Sequence, residues 1–206
     1  MPGPGHGPRA IADRRPQERA RHLRRLPAVP ALRTVRAVTI ELRPLIRADA
    51  AGHCAGEDEQ TVRWLTGGYG TAEGTAAYFD WLAGNAAAGR GKRGFGVWLD
   101  GCLAGYVDCD PDVGDGLEAG EVNVSYAVHP WARGRGVAVE AVRLICAFIR
   151  ANHIGTRAAI RVDPDNHASV RVAHKSGFTY VRDFDSSTDT HGDGTPVTMS
   201  LYLLDL

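Results

Sequence analysis

Cysteine is scarce in this chain. Four occur in 206 residues, Cys54, Cys102, Cys109 and Cys146, and no two form a C-x-x-C pair. That excludes a disulfide scaffold and the common zinc and dithiol motifs. The histidines are scattered without paired ligand spacing, so no metal site is expected. Cys146 falls on the apolar side of a helical pattern, and the thiols read as buried and reduced, which places the chain in the cytoplasm. Long apolar runs are missing too. None reaches the length of a membrane-spanning helix, and the arginine-rich start lacks the apolar centre of a secretory signal. No internal repeat is present. What remains is 44% hydrophobic and 23% charged, a globular composition long enough for one domain with a sizeable core.

The formal net charge is zero, but it is unevenly spread. Residues 1–36 carry nine arginines against Asp13 and Glu18, a net +7, so residues 37–206 carry −7. The first 36 residues are rich in Pro, Gly and Arg and read as a disordered extension. The acidic remainder suits a cationic partner and disfavours nucleic acid.

One stretch organises the rest. Val122, Val124, Tyr126 and Val128 alternate with Glu121, Asn123, Ser125 and Ala127, which predicts a strand. After His129-Pro130-Trp131-Ala132 come Arg133-Gly134-Arg135-Gly136. From Val137 to Arg150, apolar residues recur at helical spacing. A strand passing through glycines into a helix leaves N–H groups unpaired where the helix dipole favours an anion. Glycine lets the backbone approach that anion closely. The stretch therefore reads as a phosphate-binding turn. It is not a P-loop, because no Lys-Ser/Thr follows Gly136. It is not the dinucleotide fingerprint either, because Val139 stands where the third glycine belongs.

The hexamer Arg133-Gly134-Arg135-Gly136-Val137-Ala138 resembles the acyl-coenzyme-A signature of the GNAT N-acetyltransferases, Gln/Arg-x-x-Gly-x-Gly/Ala. Downstream, Asn166-His167-Ala168-Ser169 followed by Lys175-Ser176-Gly177-Phe178 resembles the Asn-x-x-Ser and Lys-x-Gly-Phe segments of the branch that includes the ribosomal-protein N-terminal acetyltransferases. The resemblance spans about residues 38–206. It implies an α/β fold with a mixed, mostly antiparallel central sheet flanked by helices, whose central strands splay apart. It also implies acetyl-CoA as cosubstrate. Main-chain atoms of Ala127 and Val128 would meet the pantetheine arm. The N–H groups of Arg133, Gly134, Arg135, Gly136, Val137 and Ala138 would hold the pyrophosphate, with added charge from Arg133 and Arg135. Asn166 would contact pantetheine, and Ser169 would face the thioester sulfur or the coenzyme.

The implied reaction is direct attack of an amine on the thioester, which needs a group to take the amine's proton and a proton for the departing thiolate. Glu121, or Glu118 through water, is the candidate base, although the position of Glu121 at the start of its strand favours a solvent-exposed carboxylate over that role. Many family members place a Tyr acid on the last helix, but the Lys-x-Gly-Phe alignment puts Ala173 there. Ser169 is the substitute, with Tyr126 and Tyr180 as weaker candidates. His129, before Pro130, reads as a surface turn residue. The acceptor is an amine on a protein N-terminus or on a small molecule. The alternative is a non-catalytic acyl-CoA-binding regulatory module. Either a monomer or a homodimer is compatible with the sequence.

The remaining elements are strands over Val38–Leu45, Phe95–Leu99, Cys102–Cys109, Arg157–Val162, Phe178–Phe184 and Val197–Leu204. Helices are expected near Ala48–Ala50 and over Asp58–Leu65, Ala72–Ala87 and Asn166–Ser176. Asp100-Gly101 is a hairpin turn. Residues 185–196 form a polar loop, long for a hairpin, that borders the substrate mouth. Trp64, Tyr69, Tyr78 and Trp81 either line the acceptor site or pack in the core.

Overall fold

The computed structural model describes residues 38–206. The expected disordered extension, residues 1–36, lies outside the described residues. Seven strands form one sheet in the order β1-β2-β3-β4-β5-β7-β6. They are β1 (Ile40–Pro44), β2 (Arg93–Leu99), β3 (Cys102–Asp110), β4 (Glu121–Val128), β5 (Arg157–Val162), β6 (Thr179–Thr190) and β7 (Pro196–Asp205). Every neighbouring pair is antiparallel except β4 and β5. The Asp100-Gly101 turn joins β2 to β3 as expected, with positive φ at both residues.

Five helices flank the sheet: α1 (Ala50–Ala55), α2 (Glu59–Thr61), α3 (Ala72–Ala87), α4 (Val137–Ala151) and α5 (His167–Lys175). Among the described residues, no helix is long and apolar enough to cross a membrane. The apolar stripe of α4 (Val137, Ala141, Val142, Ile145, Ile149) is fully buried. It packs with Val97, Val107, Val122, Val124, Ile160 and Phe178 in the larger core. At about 25 cal/mol per Å² of apolar surface, such burial dominates the stability of the fold. A smaller core (Leu45, Ala50, Ala76, Phe79, Leu82, Tyr106) lies under α1 and α3. Strand alternation thus sends Val122, Val124 and Tyr126 of β4 toward α4, and Asn123, Ser125 and Ala127 toward the opposite face.

Two elements differ from their expectation. Residues 185–196 are not a loop, because β6 runs on to Thr190 and only five residues turn before Pro196. Their Ser and Thr side chains find an acceptor elsewhere in the chain, Asp115. Its carboxylate takes hydrogen bonds from Ser186 Oγ (2.7 Å), Ser187 N (2.7 Å), Ser187 Oγ (2.9 Å) and Thr188 Oγ1 (3.1 Å), and it pairs with Arg161. The aromatics of the early helices are also largely out of the core, with Tyr69 61% and Trp81 51% exposed. Tyr78 and Trp81, one turn apart on α3, stack on each other at 5.6 Å.

Candidate active site

The parallel pair β4–β5 is joined only at Glu121–Arg157, Val122–Ala158 and Asn123–Ala159. Beyond Asn123 the strands part. β4 continues on β3 to Val128, while β5 continues on β7 to Val162. The gap exposes main-chain groups on the β5 side of β4. The Ala127 carbonyl is turned to β3, within 2.2 Å of where a Cβ on Gly105 would stand. His129 N–H likewise bonds Ala104 O on β3 at 2.8 Å. Antiparallel alternation then leaves Tyr126 and Val128 facing the gap. Val128 O is already taken by Arg133 Nε at 2.9 Å. So Tyr126, rather than the expected Ala127, offers its N–H and carbonyl there, and Val128 offers its N–H.

The turn from β4 into α4 has the expected form. Gly134 and Gly136 have φ of +74° and +79°, with nothing within 4 Å of either Cβ position. Only glycine adopts this region without strain. Among the described residues, the turn's backbone donors Ala132, Arg133 and Glu140 have chain acceptors. The N–H groups of Gly134 through Val139 have none, as expected for a helix start. Arg135 is exposed and lines an open recess of about 480 Å³ with Gly136, Glu140 and Val38–Ile40. Loop geometry, open donors and a nearby cation together fit a pyrophosphate.

Arg133 differs from expectation. Its guanidinium grips both oxygens of Asp58 (2.6 and 2.8 Å), which itself accepts from Thr61 N to cap α2. The Arg133 hydrogen bond holds the Asp58 carboxyl well below its ordinary range. Arg133 therefore fastens α2 to the end of β4, and its side-chain charge is not free for phosphate.

Across the gap, Asn166 caps α5 by accepting from Ser169 N at 3.1 Å. Ser169 Oγ lies 2.7 Å from the Tyr126 hydroxyl, which also donates to Ser169 O at 3.3 Å. Burial pushes the Tyr126 phenol up to about 12, partly offset by the bond to Ser169. Both hydroxyls thus remain protonated at neutral pH. The sequence marked Tyr126 only as a weaker candidate acid beside Ser169, and could not pair the two because they lie 43 residues apart.

The expected bases lie elsewhere. Glu121 is 4% exposed, at the closed end of the pair, about five residues or ~17 Å along the strand from Tyr126. Its carboxylate accepts from Glu118 N at 2.8 Å and pairs with Arg157 at 2.9 Å. Glu118 pairs with the same guanidinium at 3.5 Å. Both carboxylates close the sheet end rather than face the gap. His129 is buried, not a surface residue. Gly56 leaves room for it, since a Cβ there would stand 2.2 Å from the ring. Burial, with His53 beside it, lowers His129 to about 4, so it is neutral and a weak base. Of the thiols, Cys109 and Cys146 are buried and pushed up to about 12 by burial. Cys54 is half-buried and Cys102 is exposed.

The Acetyltransferase (GNAT) domain profile matches residues 39–179, and the chain belongs to this family of acyl-CoA-dependent acetyltransferases, with acetyl-CoA as cosubstrate. Solved structures share the fold. An acetyltransferase from Salmonella typhimurium that modifies the N-terminal serine of the 50S ribosomal subunit protein L7/L12 superposes with TM-score 0.68 at 16% identity, over 82% of this chain and 95% of that one. RimJ of Mycobacterium smegmatis, in complex with CoA-disulfide, gives 0.66 at 20% identity, over 81% of each chain. The microcin C7 self-immunity acetyltransferase MccE, in complex with acetyl-CoA and AMP, gives 0.66 at 13%, over 81% and 92%. No curated protein matches the sequence significantly.

Proposed function

We propose that the protein transfers the acetyl group of acetyl-CoA to the α-amine of a protein or peptide N-terminus. The observation that carries this reading is the β4–β5 gap, with open N–H groups at one end and the Tyr126–Ser169 hydroxyl pair beside it. The pyrophosphate sits on the N–H groups of Gly134–Ala138 with Arg135 alongside, and pantetheine runs along Tyr126 and Val128. The amine nitrogen bonds to the thioester carbon. The carbonyl oxygen takes up charge against Tyr126 N–H. As the C–S bond breaks, its electron pair leaves on sulfur, and the Ser169 hydroxyl, held in place by Tyr126, supplies a proton that solvent then replaces. The amine gives up its own proton to water.

That last step favours an α-amine. Glu121 is buried against Arg157, Glu118 is an exposed carboxylate at the same closed end of the pair, and His129 is too weak a base. An α-amino group, with an ordinary pKa near 8, is substantially neutral at physiological pH, whereas an alkylamine near 10.4 is not. The Salmonella neighbour's N-terminal serine acceptor points the same way. The test is thiol release from acetyl-CoA with a peptide bearing a free N-terminal serine, beside the same peptide N-acetylated and beside a polyamine. The free peptide is the active acceptor, and its rate at subsaturating concentration levels off above about pH 8. Release only with the polyamine, rising toward pH 10, overturns the N-terminal reading. Acetyl-CoA binding without release from any acceptor favours the non-catalytic module.

A further inference from the structure

On the face of β4 opposite α4, four polar side chains form a directed chain. Asp115 pairs with Arg161. Arg161 Nε donates to Asn123 Oδ1 at 3.2 Å, and Asn123 Nδ2 donates to Ser125 Oγ at 2.9 Å. Each direction is forced. A guanidinium has only donors, so the Asn123 oxygen must face Arg161 and its NH₂ must face Ser125. Ser125 Oγ is therefore an acceptor toward Asn123, and its single proton points elsewhere. Asn123 is the last β4 residue paired with β5. Ser125 stands just past the fork, half-buried, and immediately precedes the Tyr126 N–H that opens into the gap.

We propose that the Ser125 hydroxyl is a second hydrogen-bond donor to the thioester carbonyl oxygen, acting beside Tyr126 N–H, and that Asn123 and Arg161 are positioning residues that aim it. This rests on the acetyl-CoA reading of the gap. A hydroxyl with its acceptor side filled from behind suits an oxygen that gains negative charge during attack. It is held in place before the reaction and needs no reorganisation. It would be ill suited to an amine, whose lone pair must stay free for the carbonyl carbon.

The test compares acetyl-CoA with CoA by calorimetry and follows the carbonyl band of ¹³C-labelled acetyl-CoA by infrared difference spectroscopy. Wild type binds acetyl-CoA more tightly than CoA and lowers the carbonyl frequency. Ser125→Ala loses roughly fivefold in acetyl-CoA affinity, the worth of one neutral hydrogen bond. It keeps its CoA affinity, and its carbonyl band returns toward the solution value. Ser125→Thr restores both. Asn123→Asp keeps the hydroxyl but replaces the donor behind it with an acceptor, which draws the Ser125 proton backward. It reproduces the loss without removing Ser125, and so tests the idea even if Ser125→Ala does not fold. A merely structural role would move CoA and acetyl-CoA together. Unchanged discrimination and an unchanged band in folded Ser125→Ala or Asn123→Asp overturn the proposal. Wild type binding neither molecule overturns the acetyl-CoA reading itself, and the proposal with it.

Discussion

Two arginines two positions apart do different work at the residue scale. Arg133 is bonded to Asp58 and Val128 O, while Arg135 is exposed at the turn. Arg133→Ala removes the bidentate bond to Asp58 and the donor to Val128 O, at a cost of about 1–3 kcal/mol, read as a lower thermal midpoint. Arg135→Ala leaves the midpoint within error and weakens acetyl-CoA in calorimetry, with the loss shrinking as salt rises. The reverse pattern would reassign them. Ser169→Ala removes the proposed proton donor, so kcat falls about a hundredfold, the lower range for general acid catalysis, with little change in the KM for acetyl-CoA. Tyr126→Phe removes only the hydroxyl behind it and falls less. Equal kcat in wild type and Ser169→Ala, measured by thiol release, would show that the thiolate leaves unassisted.

Among the elements, the contact between the 111–120 loop and β6 rests on Asp115. Burial alone would raise this carboxyl, but hydrogen bonds from Ser186 and Ser187 and the Arg161 charge outweigh it and hold it at about 2. The folded value lies below the ordinary value near 4. Its stabilisation is therefore complete above about pH 4 and is lost as pH falls toward 2. Denaturant midpoints should drop over that window for wild type and stay flatter for Asp115→Asn, which is already less stable at pH 7. Parallel curves for the two proteins would remove Asp115 from this role. The same contact shows where sequence reading stops. Gly134 and Gly136 announced a turn because glycine spacing before an apolar helix has a local cause. The Ser186–Thr190 strand is polar, and its cause is a carboxylate some 70 residues earlier in the chain. Likewise Glu121 is tied by Arg157 across a parallel pair, and His129 is buried only because Gly56 lets α1 close over it. Local pattern places an element, but a pair of distant side chains decides which end of it is free.

For the molecule as a whole, the proposed acceptor and cosubstrate chemistry sits on a sheet opened at one pair of strands. Asp115–Arg161–Asn123 holds the fork on one face, and the Tyr126–Ser169 pair lies on the other. We propose that residues 37–206 are the acetyltransferase domain by themselves. A chain starting at residue 37 should then match the full chain in acetyl-CoA affinity, and a tenfold loss would show that residues 1–36 belong to the site. The most direct test of the gap as the acetyl-CoA site is a calorimetric titration of acetyl-CoA into the wild type and into Gly136→Glu. Nothing lies within 4 Å of the Gly136 Cβ position. The substitution therefore strains the backbone by about 1–2 kcal/mol without a clash, and its carboxylate occupies the anion's place. Micromolar binding by wild type, abolished in a folded Gly136→Glu protein, is the predicted result. Equal binding by both, or none by wild type, would contradict it.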